Sequence, residues 1–302
     1  MGKPYLSEGV AVGSTCKAGY FSRENRLPVL LGVLSLGLFV YAYYDTFLWL
    51  YERYTNPDSH YSHGFLIPLV SGWLIWQKRD ALRTLKTPGS IIGLYLVCLA
   101  LLVHIASVWT HTFFTSGFSI MLLVVGVCLY LYGTEVTREI AFPLAFLTFM
   151  FPLPMRIISA ISFPLKMLVA RLGVGAMKMV GMPLIREGAV VLLPNASLTV
   201  GDPCSGIRSL ISLLALGAVI AYMSHLSFPR KVILFFLAIP IAIFTNVLRV
   251  CALIIAANSL GSEWASPDHW FHLTSGLAVF VVSMVLLLFS VKVLSWIPQK
   301  KS

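Results

Sequence analysis

Gly201-Asp202-Pro203-Cys204-Ser205-Gly206-Ile207-Arg208-Ser209-Leu210 lies where a polar, turn-rich region runs straight into a long apolar segment. It reads as the start of a helix entering a membrane, with Asp202 as N-cap and Pro203 at the first helical position. Cys204 is then expected in the first turn. Unpaired backbone N–H groups and the positive end of the helix dipole favour a thiolate there. The apolar character continues in both directions: 58% of the 302 residues are hydrophobic and 11% are charged, where a soluble globular chain carries about a quarter charged. The sequence is that of an all-α polytopic membrane protein.

A spanning helix needs ~20 apolar residues, and about eight stretches are expected to cross: 28–48, 63–76, 90–109, 113–132, 140–155, 207–223, 232–256 and 272–295. Residues 156–182 break the pattern. They are apolar but punctuated by Arg156, Pro164, Lys166, Arg171 and Lys178, which suggests an amphipathic element lying at the interface. Two short β-prone runs flank Pro194-Asn195-Ala196 and predict a hairpin that delivers the chain to Cys204, just before the sixth span. Asn195-Ala196-Ser197 also matches a glycosylation sequon, which a turn explains equally well. The domain reading is a cytoplasmic tail at 1–27, a transmembrane domain at 28–296 and a second tail at 297–302.

The net charge of +10 does not imply nucleic-acid binding, because Lys and Arg are spread among the loops. With both termini cytoplasmic, 14 of the 22 fall inside: those at 3–26, 78–86, 138, 230–231 and 292–301. The positive-inside rule therefore puts the start of the sixth span on the extracytoplasmic face. A true span at 156–182 would turn that face to the cytoplasm and leave Arg230 and Lys231 outside. The five cysteines, at 16, 98, 128, 204 and 251, show no spacing of a disulfide framework or zinc cluster. Cys98 and Cys128 read as packing residues.

Three groups able to do chemistry gather at one membrane face under either topology. Cys204 starts the sixth span, Arg249 lies toward the end of the seventh, and His272 opens the eighth. An arginine within an apolar run costs ~2.5–3.5 kcal/mol on insertion, and Asn246, three residues before Arg249, favours a built polar site over chance. Thiol, proton carrier and fixed cation together are the set for covalent acyl transfer. Cys204 attacks a peptide carbonyl to give a thioester and His272 moves the proton. Arg249 stabilises the oxyanion, helped by the backbone N–H groups of Ser205 and Gly206. Arg208 is a supporting or snorkelling residue. No cofactor or metal is called for.

The run Cys204-Ser205-Gly206-Ile207-Arg208-Ser209-Leu210, the Asn246-x-x-Arg249 pair, the His272-x-x-x-Gly276 element and Ser62-His63-Gly64-Phe65-Leu66-Ile67-Pro68-Leu69 together resemble the exosortase/archaeosortase family. The resemblance extends over roughly residues 30–295, in order. It implies a multi-spanning prokaryotic membrane cysteine protease-transpeptidase, with Cys204, Arg249 and His272 as its catalytic residues. His63 becomes a candidate lining residue. The implied partners are exported proteins with a C-terminal sorting signal: a short motif such as Pro-Glu-Pro, an apolar helix and a basic tail. An acidic residue in such a motif has the cations of 156–186 to meet. Two other classes compete. A metal-dependent membrane hydrolase would draw on Asp58, His60, His63, Asp268, His269 and His272, but leaves the Cys–Arg pair unexplained. A transporter or scaffold in exopolysaccharide export would need no thiol, and no inverted repeat supports it.

Overall fold

The structure is a computed structural model that describes residues 26–56, 59–85, 87–194, 196–201, 206–266 and 269–296. Both expected tails therefore lie almost wholly outside the described residues, as do Asp58, Lys86, Asn195, Asp202, Pro203, Cys204, Ser205 and Asp268. The chain divides into two units, Met1–Asp45 and Thr46–Ser302. The described part of the first is dominated by helix α1 (Arg26–Ala42), apolar nearly throughout. Helix α2 (Tyr44–Thr55) leads into the second unit, which carries every other element.

In that second unit, α3 (Leu66–Gln77) follows a 3₁₀ turn at Ser62–Phe65, and α4 (Arg79–Thr84) follows α3. Helices α5 (Ile91–Trp109) and α6 (Phe113–Glu139) form an antiparallel hairpin. The short α7 (Ala141–Phe146) continues as a 3₁₀ turn, Leu147–Met150. Lys78, at the end of α3, pairs with Glu139, at the end of α6, at 2.6 Å. Ser71 Oγ donates to the Pro143 carbonyl at 2.8 Å. These contacts tie α3 to α6 and α7.

Helix α8 (Met155–Met179) comes next. Ile158, Ser162, Val169, Ala170, Gly173, Val174 and Met177 are buried along it, while Arg171 and Lys178 are exposed. It leads to a three-stranded antiparallel sheet of β1 (Ile185–Glu187), β2 (Val190–Leu192) and β3 (Ser197–Thr199), in that order. The expected hairpin is the β2–β3 pair, with Leu192 opposite Ser197, and β1 extends it by one strand. Valines, leucines and an isoleucine from α8, the sheet and α10 make one buried cluster, including Val169, Val191, Leu198, Val250 and Ile254. The sheet is thus seated on helices and does not float at a surface.

The final three helices are α9 (Ile207–Met223), α10 (Phe228–Leu260) and α11 (Trp270–Trp296). They pack around Leu213, Leu234, Ala238 and Leu287, each wholly buried. By length and composition five helices can cross a membrane: α5, α6, α8, α10 and α11. The number is six if α1 and α2 count as one span. The polytopic helical reading holds, with a different distribution of spans. Helix α3 has 12 residues and α9 has 17, and at 1.5 Å per residue α3 reaches about 18 Å, short of a ~30 Å core. Helix α8, expected at the interface, is instead 25 residues long and apolar enough to cross. Its Arg156, Arg171 and Lys178 are exposed, while its small and β-branched residues pack on α10.

Candidate active site

Helix α9 coincides with the sixth expected span, 207–223; Asp202 and Pro203, expected at the helix start, lie outside the described residues. Gly206 holds the N-cap position of α9, with φ 78° and ψ 0°. That left-handed conformation suits glycine and strains any L side chain. Its carbonyl accepts from Leu210 N and Ser209 Oγ, both at 2.9 Å. Cys204 and Ser205, expected in the first helical turn, precede this cap and lie outside the described residues. Leu165 and Val169 of α8, Leu210, and Ala242, Ile243 and Asn246 of α10 close round Gly206.

Asn246 is the reason position 206 must stay small. It is 1% exposed, and a Cβ built on Gly206 would fall 2.7 Å from its Nδ2. Replacing Gly206 with alanine therefore combines a left-handed-backbone cost of roughly 1–2 kcal/mol with a steric overlap. The expected result is a lower thermal midpoint of the detergent-solubilised protein, partly restored when Asn246→Ala is added. An unchanged midpoint would contradict the packing described.

One turn along α10, Arg249 is half-buried and directed at α11. Its Nε donates to Ser275 Oγ at 3.2 Å, and one Nη donates to the His272 carbonyl at 3.0 Å. The same Nη lies 3.4 Å from His272 Nδ1, a long contact. Ser275 Oγ in turn donates to the His272 carbonyl at 2.8 Å. The guanidinium is thus held through its Nε and one Nη together, a geometry that a planar fork of donors supports and an ammonium does not. It also lies flat against the α11 backbone: a Cβ at Gly276 would come within 3.2 Å of it. This gives the His272-x-x-x-Gly276 element a physical reason, since the glycine leaves room for the arginine. His272 itself is 4% exposed.

The structure therefore brings Arg249 and His272 together and places Asn246 on the same helix, facing the start of α9. It packs His63 against α9. His63 Nδ1 pairs with Ser212 Oγ on α9 at 3.2 Å, and its ring stacks on Tyr61 with centroids 5.9 Å apart. Its Nε2 is buried without a hydrogen-bond partner among the described residues. Arg208, in the first turn of α9, is exposed. Ser275 was not singled out from the sequence. The available signal was its place between His272 and Gly276, one helical turn after the histidine. His104 likewise gained a partner: its Nδ1 lies 2.8 Å from Ser116 Oγ, which is 2.6 Å from Thr46 Oγ1, in a buried network joining α2, α5 and α6.

The candidate metal ligands do not assemble around His272. His269 Nδ1 accepts from Phe271 N at 3.2 Å and its ring packs on Trp264 at 4.6 Å, while His60 lines a separate pocket with Trp49 and Arg53. Among the described residues no three His, Cys, Asp or Glu side chains gather closely enough to hold a metal ion; Asp58 and Asp268 lie outside those residues. Cys251 Sγ faces the Gly173 carbonyl at 3.8 Å, in the packing of α8 on α10.

Residues 52–289 match a family model described as Transmembrane exosortase (Exosortase_EpsH). No curated protein and no solved structure matched the chain.

Proposed function

This chain belongs to the transmembrane exosortase family, and on that premise we propose that it is a cysteine peptidase or transpeptidase. Its substrates would be exported proteins, cut at a C-terminal sorting signal. The observation that carries this reading is the Arg249 guanidinium, clamped beside His272 and Ser275 one turn from the Asn246–Gly206 contact. Cys204 stands two residues before Gly206 in the sequence. A cation half-buried in a membrane helix bundle and aligned by its neighbours is expensive unless it serves a site, and a developing oxyanion is the charge such a group can serve.

In the proposed reaction the Cys204 sulfur attacks the scissile carbonyl carbon, and the C–N bond breaks. The amine departs with a proton and a thioester remains. An incoming amine then gives a new amide, or water gives a free acid; either frees the thiol. Arg249 neutralises the tetrahedral oxyanion in both halves. His272 supplies the proton to the leaving amine. We place the site at the extracytoplasmic face of a prokaryotic cytoplasmic membrane because an exported substrate emerges there.

The test uses membranes from cells co-expressing a tagged substrate that ends in a sorting motif, an apolar helix and a basic tail. Hydroxylamine should release a substrate–enzyme adduct in the wild type, no adduct should form in Cys204→Ala, and a chelator should change neither result. Processing that survives Cys204→Ala and stops with chelator would sink the thiol mechanism.

A further inference from the structure

A cavity of about 290 Å³ opens between α10 and α11, directly below Arg249. Thr245, Arg249 and Ala252 line it from α10, and Ser275, Ala278 and Val282 from α11. Each set falls at helical spacing, so successive turns of both helices face one groove. Phe271 lines it as well. From Phe271 to Val282 is eleven residues, about 16 Å along the helix and roughly half a hydrocarbon core. Leu248 and Val282 also line it and are 46% and 44% exposed, so the groove is open sideways toward lipid.

The lining offers hydrocarbon. Thr245 Oγ1 is engaged with Ser283 Oγ at 2.7 Å, and Ser275 Oγ with the His272 carbonyl at 2.8 Å. Arg249 turns inward onto Ser275 and the main chain of His272. The head of the groove is therefore a site of chemistry and does not present a clamp for lipid headgroups.

We propose that this groove seats the apolar helix of the substrate polypeptide, entering laterally from the bilayer, with the scissile bond held at its Arg249–His272 end. The proposal rests on the peptidase reading above. A polypeptide leaving that end into hydrocarbon has no water for its backbone, so it must coil and satisfy its own N–H and C=O groups. A helix seated against two others in a membrane needs small side chains at the contact. Ala252, Ser275 and Ala278 supply them.

The experiment uses the same tagged substrate, with one cysteine in its apolar helix, expressed with full-length enzyme carrying Cys204→Ala. In that background no turnover is needed for an adduct to be seen. Oxidative crosslinking is expected from Ala278→Cys and Val282→Cys in clear excess over Leu277→Cys and over the parent. Leu277 is 68% exposed on the same helix and outside the groove. With Cys204 restored, Ala278→Phe is expected to slow processing about tenfold by filling the groove, about 1.4 kcal/mol, while Leu277→Phe leaves it unchanged. Equal crosslinking at all three positions, or none at the groove while the wild type processes the substrate, overturns the proposal. So does capture of a photoactivatable phospholipid at Ala278 that the substrate fails to displace. If the wild type processes nothing but the groove positions still crosslink selectively, the seat stands and the peptidase reading fails.

Discussion

Arg249→Ala is expected to lower kcat for substrate processing by about 10²–10³-fold with little change in KM, the cost of removing one preorganised oxyanion donor. Arg249→Lys is expected to fall nearly as far. Lysine keeps the charge but has a single flexible ammonium. It cannot reproduce the paired, coplanar donation from Nε to Ser275 Oγ and from Nη to the His272 carbonyl that the guanidinium makes at 3.2 and 3.0 Å. A role limited to holding α10 on α11 predicts something different. The lysine variant would then lose thermal stability along with activity, and restoring the midpoint with a stabilising ligand or lower temperature would restore processing. Ser275→Ala separates the two further. It leaves the charge and the carbonyl contact in place and removes only the Nε acceptor, so its loss should be much smaller than that of either arginine variant. Activity in Arg249→Lys close to wild type would show that charge alone suffices and that the forked contact is incidental.

The parts of this molecule that were legible in the sequence are those set by composition and short-range pattern. The apolar runs foretold the helices, and the β-prone residues on either side of Pro194 foretold the β2–β3 pair. The expense of Arg249 in an apolar run singled it out, and its neighbour on α11 is indeed His272. What short-range pattern could not supply is whatever depends on tertiary context. Gly206 caps α9 with Asn246 of α10 packed against it, a contact 40 residues away in sequence, while Asp202 and Pro203 lie outside the described residues. The charges of α8 read as those of an amphipathic helix, and a residue count cannot tell that its other residues are buried on α10 and the sheet. Nothing in the sequence singled out Ser275, and only the arrival of the Arg249 Nε gives its hydroxyl a purpose. His63 shares a sequence signature with the site residues, and the fold adds Ser212 as its partner.

His272→Ala is expected to abolish both processing and the hydroxylamine-sensitive adduct, a loss of about 10²–10⁴-fold for a missing acid–base group. The Cys204 thiol loses its proton as the sulfur attacks, and the neutral imidazole of His272 is the group that takes it. The imidazolium so formed gives that proton to the leaving amine as the C–N bond breaks and the thioester remains. The substitution should not displace Arg249, because the carbonyl that its Nη and Ser275 Oγ both contact belongs to the main chain of residue 272 and survives the change. The thermal midpoint should therefore move little while the adduct disappears. His272→Gln, which fills a similar volume but cannot take up and release a proton at neutral pH, should fail equally. An adduct that instead accumulates in His272→Ala would place the histidine after thioester formation, as the base for the incoming nucleophile.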